Sequence, residues 1–164
     1  MGRAVLLASA MPFRAVHGVE LHPSLVRMAR RNAAAWKREG RALSQIRIHE
    51  GDACDFRFPA GPCLVFLFNP FGAPVMRRLL RHLARSFADR PGELDLLYVN
   101  NEQEREIRMQ PGLVRLYLGP VRRSGGDARA DWKILTRQPD GEYIAEPHEH
   151  CSIWRWAGLD TRSA

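Results

Sequence analysis

Three observations predict an α/β fold with a mostly parallel sheet and helices on both faces. Strand-like and helix-like segments alternate from Ala15 to Asn100, the pattern of right-handed crossover units. Cys63–Phe68, CLVFLF, is continuously apolar between Pro62 and Asn69-Pro70, and such runs read as strands buried on both faces. Pro23–Glu39 and Ala73–Asp89 carry apolar residues at helical spacing and end at Gly40 and Pro91-Gly92. The units are too few to close a barrel, so the sheet is open and doubly wound.

In order, Gly2–Met11 is Ala- and Leu-rich and stops before Pro12, which predicts a short helix. Ala15–Leu21 predicts a strand ending on an acidic residue, Glu20. His22-Pro23-Ser24 then opens the long helix to Glu39, with proline in the first turn, where its lost N–H is harmless. Ile46–Glu50 alternates as a strand does, and Gly51-Asp52-Ala53 is its closing turn. Phe56–Gly61 connects to the apolar strand. The next helix, Ala73–Asp89, turns Met76, Leu79, Leu80, Leu83 and Phe87 inward and Arg77, Arg78, Arg81 and Arg85 outward. Leu94–Asn100 predicts another buried strand, Glu102–Met109 a short helix, and Leu113–Leu118 and Cys151–Trp156 two further strands. Pro120–Asp131 reads as a loop around Ser124-Gly125-Gly126. Within Trp132–Pro147, WKILT suggests a strand and QPDGEY a turn.

The length of 164 residues suits a single domain, with a half about 1–100 that could hold a cofactor and C-terminal strands and loop over 113–157. No apolar run reaches the roughly 20 residues a membrane helix needs. The N-terminal apolar stretch is broken by Pro12 and followed at once by a strand, which argues against an export signal. Cys54, Cys63 and Cys151 are odd in number and form no CxxC pair, as expected of reduced thiols in a cytoplasmic protein. The net charge is +7, yet Lys occurs only at 37 and 133, so nearly all 25 basic residues are Arg. That bias resembles a GC-rich coding sequence, and net charge alone does not identify a nucleic-acid partner.

Successive strand ends carry polar residues suited to a nucleoside: Glu20, Asp52 and Asn69. Glu20 stands 18 residues after Gly2, near the spacing of about 20 at which dinucleotide folds place a ribose-binding carboxylate. Asp52 suits the exocyclic amine of adenine, with the amide of Ala53 facing a ring nitrogen. His148-Glu149-His150-Cys151 contains metal-ligand types. Strand neighbours alternate faces, however, so at most His148 and His150 could share an ion. The segment reads as a surface turn before the last strand, and no metal site is expected. Trp132, Trp154 and Trp156 suit either an acceptor pocket or the core.

GRAVLLAS, AVHGVELHPSL with Glu20, EGDA with Asp52, and the strand closed by Asn69-Pro70-Phe71 resemble class I S-adenosylmethionine-dependent methyltransferases, a Rossmann-like family. The resemblance covers roughly residues 2–100. It implies a sheet of order 3-2-1-4-5-7-6 with the last strand antiparallel, and S-adenosylmethionine as cofactor. Gly2 would be the last glycine of the cofactor turn. Glu20 would hold the ribose, Leu21 would pack near the adenine, and Asp52 and Ala53 would read its edge. Asn69-Pro70-Phe71 resembles the Asn-Pro-Pro-Tyr/Phe loop of amino-methylating members, where side-chain and prolyl oxygens accept hydrogen bonds from the target nitrogen. This sequence has one proline there, not two.

The family begins with a central strand and a Gly-x-Gly-x-Gly turn, of which only Gly2 is present here. The expectation is therefore of an N-terminally truncated domain, its first strand missing and its natural start upstream of Met1. The implied function is methyl transfer to an unidentified acceptor, which could be a small molecule, a protein or a nucleic acid. No His, Asp or Glu stands out as a general base, which suits an acceptor that is already nucleophilic. A nicotinamide-dependent oxidoreductase using Glu20, and a non-catalytic binding module, are the alternatives. The first lacks the full glycine fingerprint.

Overall fold

Gly2 caps the first helix at φ 79°, a left-handed conformation that suits glycine. The structure, a computed structural model, describes residues 2–122, 125–126 and 148–159. It divides into two compact units, Met1–Arg57 and Phe58–Ala164.

In the first unit, Arg3–Ser9 (α1) precedes Ala15–Glu20 (β1), and Pro23–Arg38 (α2) leads to Gln45–Glu50 (β2). The two strands pair in parallel from Ala15↔Gln45 to Glu20↔Glu50. Pro23 sits in the first turn of α2 as predicted, and Gly40 follows the helix at φ 69°. Val26 and Ala29 form the buried side of α2. Gly18 sets how closely α1 approaches β1: a Cβ there would stand 2.8 Å from Val5 Cγ2 and 3.1 Å from Ile48 Cδ1. On the other face of the strands, His17 Nδ1 meets His49 Nε2 at 3.0 Å, and Phe56 packs its edge against both rings. Burial, reinforced by His49 and Arg47, lowers the His17 pKa below its ordinary 6.5.

The second unit contains Cys63–Phe68 (β3), Ala73–Ser86 (α3), Leu94–Val99 (β4), Glu104–Arg108 (α4), Leu113–Arg122 (β5) and His148–Trp156 (β6). Its sheet runs β3-β4-β6-β5, with β3 and β4 parallel and β6 antiparallel to both neighbours. The predicted stripe of Met76, Leu79, Leu80, Leu83 and Phe87 is buried, as are Leu94, Leu96 and Tyr98 on alternate positions of β4. Ile107, Trp154 and Trp156 complete this core, so the two tryptophans are packing residues. Trp132 and its surrounding segment lie outside the described residues.

Three expectations change. First, β3 is not buried on both faces. Leu67 is buried, but Leu64, Phe66 and Phe68 are 52%, 44% and 53% exposed. These three share one face of the pleat, and no described element of the second unit covers it. Second, Pro120–Arg122 is strand, not loop: β5 runs on to Arg122 opposite His148. Proline is tolerated there because β5 is an edge strand and needs no N–H on its outer side. Third, His148–His150 is the start of β6, not a turn, because the lengthened β5 supplies its ladder partners. Smaller shifts occur at element ends, and Ala53–Asp55 forms a 3₁₀ turn after β2.

Candidate active site

In each unit, polar residues stand where parallel strands end. In the first unit the register puts Glu20 opposite Glu50, and the Gly51 N–H donates to the Glu20 carbonyl at 3.0 Å. Asp52, two residues beyond Glu50, therefore reaches the same carboxyl edge as Glu20. The Glu20 Oε1 accepts the His22 N–H at 2.9 Å, tying the carboxylate to the residue that precedes α2. Asp52 Oδ1 accepts the Cys54 N–H at 2.8 Å, which caps the 3₁₀ turn begun by Ala53. Both carboxylates are thus held in place by a nearby backbone amide. Leu21 is 61% exposed beside Glu20. Gly2 lies near α2: a Cβ on it would come 3.3 Å from Ala29 Cβ. The structure brings Glu20, Leu21, Asp52 and Ala53 to one strand edge, and Gly2 starts the preceding helix.

In the second unit, Asn69 follows β3 and Asn100 follows β4, on paired strands. Both take positive φ, 36° and 51°, a region that asparagine enters more readily than most residues. The Asn69 N–H continues the β3–β4 ladder by donating to the Val99 carbonyl at 3.0 Å, and the Asn100 N–H donates to the His150 carbonyl at 2.7 Å. Pro70 is exposed and Phe71 half-buried.

Tyr98 was not singled out from the sequence. Its hydroxyl donates to Asn69 Oδ1 at 2.9 Å and accepts the Gln103 N–H at 3.1 Å. Because Gln103 supplies one hydrogen, the phenol's own hydrogen is available to the Asn69 oxygen. The Asn69 amide therefore turns its oxygen toward Tyr98 and its NH2 away. Burial pushes the Tyr98 phenol above its ordinary 10.0, keeping it protonated as a donor. The only sequence signal for this role was a polar-tipped aromatic within a buried strand, which calls for a partner.

Behind this pair, Ser152 Oγ donates to Glu104 Oε2 at 2.6 Å, and Asn101 Nδ2 donates to the same oxygen at 3.3 Å. Glu104 Oε1 is buried without a hydrogen-bond partner among the described residues. Cys54, Cys63 and Cys151 form no disulfide with one another. Among the described residues, no helix is long and apolar enough to cross a membrane.

No protein-family model matches the chain, nor does any curated protein. Solved structures do. The apo S-adenosylmethionine-dependent methyltransferase SibL superposes with a TM-score of 0.55 at 17% identity, over 93% of this chain and 46% of its own. The O-methyltransferase of a Brevibacillus brevis trans-AT PKS multienzyme, in complex with S-adenosyl-L-homocysteine, gives 0.54 at 12% identity, over 95% and 63%. The N,N-8-amino-8-demethyl-D-riboflavin dimethyltransferase RosA of Streptomyces davawensis gives 0.50 at 19% identity, over 94% and 46%. The chain thus spans about half to two thirds of the length of these structures.

Strand order agrees with the similarity. Counting β1 to β6 as the second to seventh strands of order 3-2-1-4-5-7-6, the neighbours 3-2 and 4-5-7-6 are both observed, and the seventh strand is antiparallel. The chain has the Rossmann-like fold of the class I S-adenosylmethionine-dependent methyltransferases.

Proposed function

We propose that this chain is an S-adenosylmethionine-dependent methyltransferase domain acting on a nucleophilic acceptor at its Asn69-Pro70-Phe71 turn. The observation that carries this reading is that, in each unit, polar side chains stand at the carboxyl ends of parallel strands, where open α/β sheets bind ligands. The donor set suits the cofactor. A carboxylate has about four acceptor sites, and the His22 amide takes one on Glu20, so ribose hydroxyls can use the others. Leu21 offers an exposed apolar surface for a flat base. Asp52 and the Ala53 amide offer an acceptor and a donor for the adenine edge, and Gly2 admits close backbone approach.

When bound, the cofactor supplies an electrophilic sulfonium methyl. The protein's own contribution is orientation, since in-line transfer depends on holding the nucleophile at the right angle and distance. Asn69, Pro70 and Phe71 serve the acceptor side, with an amide, a prolyl carbonyl and an aromatic face. No described side chain is assigned to remove a proton, which suits an acceptor with a lone pair available at neutral pH.

This reading includes one further strand. Among the described residues, β1 is paired only with β2, and β3 only with β4. Each free edge supports the additional strand that the resemblance implies.

Calorimetric titration of S-adenosylmethionine and NAD into this chain, and into a form extended upstream, tests the proposal. Binding of S-adenosylmethionine but not NAD is expected, tighter in the extended form. NAD binding alone would replace methyl transfer by hydride transfer, and no binding of either by the extended form would indicate a non-catalytic module.

A further inference from the structure

One face of α2 carries five cations and no acidic residue, with Pro23 and Ala34 between them. At 3.6 residues per turn, Arg27, Arg30, Arg31, Lys37 and Arg38 fall within an arc of about 120°, and all five are exposed. No acidic residue occurs in Pro23–Arg38. The opposite side, with Val26 and Ala29, is buried. Arg30 is anchored by donating from Nη2 and Nε to the Ile48 carbonyl at 3.1 and 3.4 Å. Arg27, Arg31, Lys37 and Arg38 form no ion pair among the described residues. A surface groove of about 420 Å³ at the start of the helix is lined by Ser24, Arg27, Met28, Arg30 and Arg31.

A coding bias toward Arg sets how many arginines a chain contains. It does not decide which arginines meet carboxylates: in the comparable row of α3, Arg77 pairs with Glu106, whereas the α2 row faces a groove lined by arginines. Solvated helices ordinarily place opposite charges three and four residues apart, whereas Arg27 with Arg30 and Arg31 are like-charged pairs at those spacings, which destabilise a helix. A polyanion lying along the face relieves that repulsion.

We propose that this face of α2 binds the phosphate backbone of a nucleic acid. From Arg27 to Arg38 the track is about 16 Å long at 1.5 Å per residue, and its long side chains reach beyond both ends, so four or five cations can each meet a phosphate. Arginine's planar fork pairs bidentately with phosphate oxygens. An anionic membrane fits less well, because a helix lying in a bilayer surface buries its apolar side in lipid, and the apolar side of α2 is already buried in the protein.

The test uses a fluorescein-labelled 20-nucleotide single-stranded RNA and its DNA counterpart, titrated with the full chain by fluorescence anisotropy at 50–250 mM salt. With four to five phosphate contacts, a log–log salt slope of about −3 is expected. Replacing Arg27, Arg31 and Arg38 by Glu should weaken binding by about 30-fold or more and flatten the slope to about −1. Replacing Arg57, Arg108 and Arg122, which are exposed and far apart in sequence, by Glu makes the same change in net charge without touching a cationic helix face and should alter affinity less than about threefold. Circular dichroism checks folding, and Arg→Gln changes at the same α2 positions serve if the Glu variant unfolds. Equal losses in both charge-reversed variants would reduce the effect to net charge and overturn the proposal. So would no binding, or tighter binding to phosphatidylcholine–phosphatidylserine vesicles than to either oligonucleotide.

Discussion

The Tyr98 hydroxyl donates to Asn69 Oδ1 across 2.9 Å, joining the end of β4 to the turn after β3. The same oxygen accepts from the Gln103 amide, so a single phenol bonds both the candidate acceptor turn and the segment leading to α4. Tyr98→Phe would leave Asn69 Oδ1 and the Gln103 N–H without this partner. A loss of about 1–3 kcal/mol in urea unfolding is expected. Side-chain amide NMR should also show Asn69 losing its single orientation. An unchanged Asn69 signal would show that backbone geometry, not Tyr98, holds the turn.

Glu20→Gln separates two roles of one side chain. The amide oxygen of Gln can still accept the His22 N–H, so thermal stability should hold within about 0.5 kcal/mol. Losing the charge should weaken S-adenosylmethionine binding by about tenfold, since hydrogen bonds to charged groups contribute about 1.5–3 kcal/mol. Calorimetry on the longest stable form of the protein measures both. Equal affinity would confine Glu20 to the turn.

Acid should destabilise the first unit through His17. Its pKa is lowered in the folded protein, by burial first and then by His49 and Arg47. The unfolded chain therefore takes up the proton first, and stability falls as pH drops through 6.5. Direct contact between His17 and His49 requires one ring to donate and the other to accept, so two imidazolium ions cannot keep it. His17→Gln should flatten the stability–pH profile between about pH 7 and 5, read from urea midpoints. An unchanged slope would assign the acid sensitivity to other groups.

Gly112 and Gly92 separate space from backbone conformation. Both have positive φ, 85° and 82°. A Cβ on Gly112 would meet the Trp156 ring at 2.7 Å, whereas one on Gly92 meets nothing within 4 Å. Gly92→Ala should therefore cost about 1–2 kcal/mol, the left-handed penalty alone. Gly112→Ala should cost about 1–3 kcal/mol more through overpacking. Equal costs in thermal unfolding would mean that Trp156 yields freely.

The two faces of β3 should respond differently. Leu67→Ala is expected to cost about 2–5 kcal/mol by opening a cavity. Phe66→Thr, which keeps a strand-forming residue on the exposed face, should cost less than about 1 kcal/mol. A larger loss at Phe66 than at Leu67 would show that the exposed face is covered in solution.

Read alone, the sequence determined the elements and much of their order. Apolar spacing located α3 and its buried stripe, Pro23 and Gly40 bounded α2 to within a residue or so, and the run Cys63–Phe68 matched β3. These features are local, and propensity and periodicity report local structure well. It also marked Glu20, Asp52 and Asn69 as strand-end groups, because a polar residue closing an apolar run is visible without a partner.

Only the tertiary structure decided what depends on contacts distant in sequence. β5 extends through Pro120 because β6 pairs with it, and His148–His150 becomes strand for the same reason. The apolar face of β3 is open because burial depends on what packs against a strand, not on its composition. Tyr98 holds Asn69 across 29 positions of sequence, a relationship created by pairing β3 with β4.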